Sequence, residues 1–468
     1  MKWNKEKSIT LLYLAIYLIA ALTIALHQPL NDTPPSFCNP PDEHSRYKVP
    51  VYICEHGTLP TGFEEELLSA DCKWTYGFYT LLPYMVQGYA MRFVDLFTDS
   101  SLALLYTARL VNVFFGFLMA IVVLQIGKKL FKEERVRWLF CFLVTFLPQS
   151  LFLHTYVNPD SLCLLSTALM CYGLLLGYGD GFSVKACLLL SAGVILCALS
   201  YYNAYGFIIS SILLFTAYFF KKEDGRLSFD WKSFLKKGIG IAVLVLLCIS
   251  WSFIRNYVLY DGDFIGLETK ENFIKAHGIL RETYESQGKS LFSMLFGTTF
   301  FFKLAISFIA NYGSATLYTW IVVYVFYLLL FAAGILGTVF CREKGRHEKE
   351  KTEQERKEQY RKERHCSSRW LRIFFHANMV FCILMPFILT VKYAYTVDYQ
   401  AQGRYIMPGL LPLMYYVCRG LHRLPVWQKA GERLKNRVYV GIMAGIILSL
   451  LITVYVTALP CYLQTAVL

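Results

Sequence analysis

An all-α membrane protein of about eleven spanning helices is the fold class this sequence predicts, and three observations carry the prediction. Of the 468 residues, 56% are hydrophobic and only 17% are charged, a composition outside that of an ordinary soluble globule. Apolar runs of about 17 to 25 residues recur along the chain, each long enough to cross a hydrocarbon core of roughly 30 Å as a helix. Charge follows the runs. When the segments between them alternate sides, about 33 of the 46 Lys and Arg fall on one side and about 18 of the 33 acidic residues on the other, which is the positive-inside pattern that fixes orientation. The net charge of +13 therefore reports topology and anionic lipid rather than nucleic acid.

Taken in order, the basic start Met1 to Lys7 leads into Ile9 to Leu26, too long and too weakly terminated for a cleaved signal peptide. It is expected as a retained first span with its N-terminus inside. Residues 27–101 form a long first external loop. Within it Thr61 and Glu64 have capping-box spacing, which predicts a helix start. Tyr76 to Phe97, apolar but interrupted by Pro83, Gln87, Arg92 and Asp95, is expected to lie in the interface as a helix. Spans two to seven follow at Leu102 to Ile126, Trp138 to Val157, Leu162 to Tyr178, Val184 to Leu199, Ala204 to Phe220 and Gly238 to Tyr257. Residues 259–317 make a second long external segment. Its apolar piece, Leu291 to Ile309, is broken by Gly297, Thr298, Thr299 and Lys303 and is expected as an interfacial or re-entrant helix. Span eight, Tyr318 to Phe340, precedes a charged inner loop over residues 341–372. Glu353 with Lys357 and Glu358 with Lys362 have the spacing of a solvated helix there. Ile373 to Thr390, Tyr405 to Val417 and Val438 to Leu459 complete the count. With no repeat and no second soluble stretch, residues 1–468 are expected as one polytopic unit.

Of the 14 cysteines, Cys38, Cys54, Cys72 and Cys461 are expected outside, and a disulfide among the first three is open as to partner. No CxxC or HExxH pattern marks a structural zinc site.

Chemistry is expected just beyond span one, at Asn39-Pro40-Pro41-Asp42-Glu43-His44. Two adjacent carboxylates held near a membrane surface suit a general base acting on an acceptor hydroxyl, or a pair sharing a divalent cation such as Mg or Mn. The same letters also suit a helix start with Asn39 as cap and Pro40 at the first position. His44 is a candidate ligand or proton carrier. Arg255, Lys303, Lys392 and Arg404 lie near outer span ends on an otherwise acidic side, suited to a lipid phosphate or to snorkelling. Arg109, about two turns into span two, needs a partner. In Asn158-Pro159-Asp160, Asp160 is either a second external acid or part of a helix start capped by Asn158.

Taken together, Pro41-Asp42-Glu43-His44, Ala108-Arg109-Leu110-Val111-Asn112, Val157-Asn158-Pro159-Asp160, Phe253-Ile254-Arg255-Asn256-Tyr257 and Gly403-Arg404-Tyr405-Ile406-Met407-Pro408 resemble, in their order, the GT-C superfamily of membrane glycosyltransferases. The resemblance is nearest to a bacterial branch of uncharacterised polytopic proteins. It implies a GT-C-like bundle in a bacterial plasma membrane, with the active site external. It further implies transfer of a sugar from a polyprenyl-phosphate-linked donor to a glycan, lipid or cell-wall acceptor. Asp42, with Glu43 beside it, maps onto the catalytic base or metal ligand. Arg404 and Arg255 map onto the carrier phosphate, with Lys303, Arg109, Tyr405, His44 and Asp160 as further substrate-binding candidates. A transporter or flippase, or a polymerase or ligase of lipid-linked sugars, is the alternative reading, and a scaffold subunit of an envelope complex the third.

Overall fold

The computed structural model describes residues 5–30, 38–69, 73–78, 80–223, 226–277, 282–341, 369–426 and 430–465. Among the described residues, seven helical segments are long and apolar enough to cross a membrane: Lys5–His27 (α1), Ser101–Leu130 (α4), Asp160–Asp180 (α7), Trp231–Leu259 (α10), Ile321–Phe340 (α14), Arg372–Thr396 within Arg369–Thr396 (α15), and Glu432–Thr465. The last comprises Glu432–Leu451 (α17), a π-helical turn over Ile452–Ala458 and Leu459–Thr465 (α18). Between them lie Glu43–His56 (α2), Leu82–Asp95 (α3), Glu134–Thr145 (α5), Pro148–Phe152 (α6), Val184–Ala198 (α8), Tyr205–Tyr218 (α9), Leu267–His277 (α11), Leu291–Phe296 (α12), Phe300–Ile309 (α13) and Leu410–Arg423 (α16). Sheet among the described residues is limited to two antiparallel ribbons, Phe220–Glu223 with Arg226–Phe229 and Asn311–Tyr312 with Leu317–Tyr318.

Some of the eleven expected spans are shorter or broken, for local reasons. The expected helix Trp138 to Val157 stops at Thr145 and restarts at Pro148, because proline lacks an N–H and biases the residue before it away from the helix. Helices α9 and α16 have 14 residues each, about 21 Å at 1.5 Å per residue. The second is preceded by a 3₁₀ turn over Gly403–Gly409. Leu291 to Ile309 divides into α12 and α13, as its polar interruption implies. Thr61 and Glu64 form half of the expected capping box: the Thr61 N–H donates to Glu64 Oε1 at 2.7 Å, but the Thr61 hydroxyl donates to the same oxygen at 2.8 Å instead of accepting from the Glu64 N–H. Only the 3₁₀ turn Glu65–Leu67 follows them. The expected helix at Glu353 to Lys362 lies outside the described residues.

Helices α1, α4, α5, α7, α14, α16 and α17 share the main core, built around Tyr13, Tyr17, Phe140, Phe146, Tyr327, Val417 and Tyr439. Two buried tyrosine hydroxyls in it donate to carbonyls, Tyr17 to Val113 O and Tyr312 to Pro148 O, each at 3.0 Å. Gly334 and Gly337 on α14 meet Gly420 on α16 backbone to backbone, the close approach that small residues allow between helices in lipid. By contrast, α10 buries only Val245 and presents an apolar surface, as a lipid-facing helix does.

The ends of the helices sort into two sets. Glu6 pairs with Lys128 at 3.1 Å and Arg137 at 3.4 Å, Arg135 with Glu432 at 2.8 Å, and His422 with Glu133 at 3.5 Å. The start of α1, the α4–α5 turn, the end of α16 and the start of α17 thus meet at one end of the bundle. At the other end Cys38 is bonded to Cys461, 423 residues away. This corrects the expectation of a bridge among Cys38, Cys54 and Cys72: Cys54 is a buried free thiol, and Cys72 lies outside the described residues. Cys38 and Cys461 should resist maleimide on intact protein and both react after reduction. Mass spectrometry of the labelled peptides checks this.

Candidate functional site

Helix α2 begins at Glu43, and Asp42 precedes it with φ 61°, in the left-handed region, making no side-chain capping bond. Asn39 and Pro40 therefore do not open the helix as the capping pattern allowed. The consequence is chemical: the Asp42 carboxylate turns away from the helix end toward Arg404. Arg404 Nη2 lies 2.6 Å from Asp42 Oδ2. Arg46, one turn along α2, brings Nη2 to 3.7 Å from the same oxygen, and Tyr76 hydrogen-bonds the carboxylate as well. The Asp42 side chain keeps 33% exposure, while those of Arg404 and Arg46 are buried at 2% and 4%.

Each guanidinium is held on more than one side. Arg404 Nη2 also donates to Tyr405 Oη at 3.0 Å, and the Tyr405 hydroxyl donates to Gln400 Oε1. Arg46 lies 4.6 Å over the Tyr76 ring and reaches Tyr84 Oη at 3.4 Å, a cation over an aromatic face. Asp160 is buried within electrostatic reach of Arg46, Arg404 and Asp42. Two cations and two carboxylates thus converge at the bundle end that carries the Cys38–Cys461 bridge. Burial pushes the Asp42 carboxyl up, but Arg404, Arg46 and the hydrogen bonds from Arg404 and Tyr76 outweigh it and hold it below the usual aspartate range.

Glu43, though adjacent, points elsewhere. Its carboxylate is fully buried and takes a bidentate pair from Arg109, Nε to Oε1 at 2.9 Å and Nη2 to Oε2 at 2.6 Å. The Val157 N–H donates to Oε1 at 2.8 Å. Arg109 Nη1 donates in turn to the carbonyls of Ala25 at 3.1 Å and Gln28 at 2.8 Å. One ion pair so joins the end of α1, the start of α2, the third turn of α4 and the loop before α7. Asn112, one turn beyond Arg109, receives Gln87 Nε2 at 3.0 Å and donates to Asn158 O at 3.1 Å. Asn158 Oδ1 accepts from the Ser161 N–H at 3.1 Å, as the helix-start reading of Asn158 expects, and Asp160 is the first residue of α7.

The remaining candidates are dispersed. Arg255 donates to the Pro60 carbonyl and braces the first loop rather than joining Asp42. Lys303 lies 5.9 Å from the Tyr399 ring centroid and lines a cleft of about 400 Å³ with Thr299, Phe302, Tyr318 and Tyr324. His44 is exposed. Asp42 and Glu43 do not fit a shared divalent cation: every Glu43 oxygen is engaged by Arg109 or Val157, and Asp42 already faces two guanidiniums. Among the described residues, acids and histidine do gather at Glu55, His56 and Glu66, exposed at the far end of α2. Arg46 and Tyr84 were not among the expected site residues, although Arg46 lies four residues from Asp42 on what proves to be one helix face.

Gly403 sets Arg404 in place, since a Cβ there would run into the Phe308 backbone. Gly403→Ala should cost about 1–3 kcal/mol by overpacking, read as a lowered unfolding temperature in detergent.

Residues 58–414 match the family described as Predicted membrane protein (DUF2142). The chain belongs to that family. The matched region holds Arg109, Asp160, Arg255, Lys303, Arg404 and Tyr405; Asp42 and Glu43 precede it. A comparison with the curated proteins finds none that matches. Among solved structures, this family member is similar to ArnT from Cupriavidus metallidurans bound to undecaprenyl phosphate, with a TM-score of 0.52 at 13% identity over 98% of this chain and 76% of that one. The apo state of ArnT gives 0.51 at 12% identity, over 99% and 76%. The Archaeoglobus fulgidus oligosaccharyltransferase tethered with an acceptor peptide gives 0.48 at 14% identity, over 96% of this chain and 55% of that one. The chain thus spans about half the oligosaccharyltransferase. At these identities the ArnT likeness is one of fold, and the family member has a GT-C-like helical bundle.

Proposed function

We propose that this protein is a glycosyltransferase of the GT-C type. It moves a sugar from a polyprenyl-phosphate-linked donor to a glycan, lipid or cell-wall acceptor at the external face of a bacterial plasma membrane, with its N-terminus cytoplasmic. The observation that carries the reading is the ion pair of Asp42 with Arg404, flanked by Arg46 and Asp160, where the first loop meets the 3₁₀ turn before α16. The ArnT fold supports it, undecaprenyl phosphate being bound in that structure. The Cys38–Cys461 bridge supports an oxidising compartment for that end.

The acceptor oxygen attacks the anomeric carbon as the bond from that carbon to the phosphate oxygen breaks. The polyprenyl phosphate leaves with the bonding pair, and the acceptor proton passes to Asp42. Direct displacement inverts the anomeric centre. A carboxylate held low by two guanidiniums is a weak base, so donor binding has to relieve it. The phosphate competes for Arg404 and Arg46, and as these turn to the leaving group, where charge grows in the transition state, the basicity of Asp42 rises. Tyr405 positions Arg404, and the buried Glu43–Arg109 pair positions the loop that presents Asp42. In this reading Lys303, on the rim of its apolar cleft, receives the carrier, Asp160 and His44 are assigned to substrate, and Arg255 steadies the loop. No step requires a metal held by Asp42 and Glu43.

Undecaprenyl phosphate added to the purified protein in nanodiscs should bind, and Arg404→Leu should weaken it at least about tenfold, the loss of one charge-assisted bidentate contact. Equal binding by the variant would remove Arg404 from the carrier site.

A further inference from the structure

Among the described residues, three buried donors of the Asp42 site have no hydrogen-bond partner: Arg404 Nε, Arg46 Nε and the hydroxyl of Tyr156. Tyr156 is fully buried in the loop just before α7. Its hydroxyl lies against the Arg404 guanidinium, with Arg46 and Asp160 in electrostatic reach, but meets none of them in hydrogen-bond geometry. Turning the phenol proton toward Arg404 gains nothing, because a guanidinium only donates. The ring is also held in place. It lies 4.9 Å from the ring of Phe152, which stacks on Tyr312 at 4.3 Å, and the Tyr312 hydroxyl donates to Pro148 O at 3.0 Å. The Tyr156 carbonyl accepts from Asn112 Nδ2 and, at 2.8 Å, from Asn158 Nδ2. Donors that have left water without regaining a bond weaken the free protein, and three at one site call for a ligand that brings acceptors.

The chemistry of the donors names the acceptor. A phosphate brings several acceptor oxygens with negative charge, and guanidinium matches it by geometry as well as charge. We propose that Tyr156 donates a hydrogen bond to a phosphate oxygen of the polyprenyl carrier, beside Nε of Arg404 and of Arg46. The phenol keeps its proton throughout, and its bond strengthens as charge grows on the departing phosphate. The inference rests on the transferase reading and adds to it a neutral donor. Neutrality matters here: a third cation would hold the phosphate as well, but it would also depress the basicity of Asp42 further. Tyr156 grips the leaving group and leaves the carboxylate free to take the acceptor proton.

Tyr156→Phe in the full chain separates this role from a structural one. In the free protein the substitution deletes an orphaned hydroxyl and keeps the ring, so the unfolding temperature in detergent should hold or rise. Undecaprenyl phosphate in nanodiscs should nevertheless bind the variant at least about tenfold more weakly than the native chain, the loss of one hydrogen bond to a charged group. A hydroxyl that serves the fold alone gives the opposite pair of results. A lowered unfolding temperature of the ligand-free variant, or carrier binding equal to that of the native chain, would therefore overturn the proposal. Equal binding by Tyr156→Phe beside weakened binding by Arg404→Leu would remove Tyr156 alone and leave the transferase reading standing. A native chain that does not bind the carrier would overturn that reading and this inference together.

Discussion

Asp42→Asn should lower turnover by about 10²–10⁴-fold, the usual contribution of a positioned general base, with undecaprenyl-phosphate sugars as donors and release of the carrier as the readout. The asparagine keeps the shape and can still accept a hydrogen bond from Arg404, so the fold should persist and donor binding should change little or tighten. A variant with wild-type turnover would sink the mechanism. The pH profile adds a second check. Arg404, Arg46 and Tyr76 overcome the effect of burial and hold the carboxyl below its ordinary value near 4. The pair therefore stabilises the fold fully above about pH 4, the unfolded value, and that stability fades as pH falls through the lower folded value. In kcat/KM, which reports the free enzyme, the acid limb should fall below that ordinary value. In kcat the limb should move upward, because the donor phosphate has drawn the guanidiniums away. Coincident limbs would mean that Asp42 stays paired through the reaction.

What the sequence disclosed followed from the reach of each interaction along the chain. Apolar runs announce helices because the membrane makes each run satisfy its own backbone, so α1, α4, α7, α10, α14 and α15 were legible. Asp42 and Arg404 were each visible as charged residues at span ends, and the ordered motifs placed both in one site. Their direct contact spans 362 residues, a closure that no local pattern encodes. Arg46 illustrates the opposite failure. Its four-residue spacing from Asp42 lay in plain view, and a helix opened at Pro40 would put both residues on one face, yet the sequence reading gave Arg46 no part beside the carboxylate that it approaches. The disulfide was missed because Cys461 sits in the last helix, and only the folded bundle brings α18 against the first loop. Glu43 misled for a chemical reason: adjacency in sequence was taken as adjacency in space, whereas a residue at the first helical position and the residue before it point to different sides. Arg109 had been recognised as needing a partner, and the need was met by that same Glu43.

This buried pair sets the other large effect. Glu43→Gln should destabilise the protein by about 3–5 kcal/mol, because it leaves the Arg109 charge uncompensated in a dry interior, and Arg109→Met should cost a similar amount by stranding the carboxylate. The pair joins four separate segments, so its loss loosens the loop that aims Asp42 as well as the fold. Removing both charges together, as Glu43→Leu/Arg109→Met, should recover much of the loss, since apolar side chains of similar volume often replace a buried pair without penalty. Recovery should stop short of the native value, because the Ala25 and Gln28 carbonyls lose the donor they share at about 1–3 kcal/mol for each group left unsatisfied. Thermal unfolding in detergent reads all three variants. Additive losses in the double variant would show that the two residues do not act as a pair. A Glu43→Gln protein with native unfolding and abolished turnover would return Glu43 to the reaction itself, since a carboxylate that only holds the loop cannot be removed without loosening it.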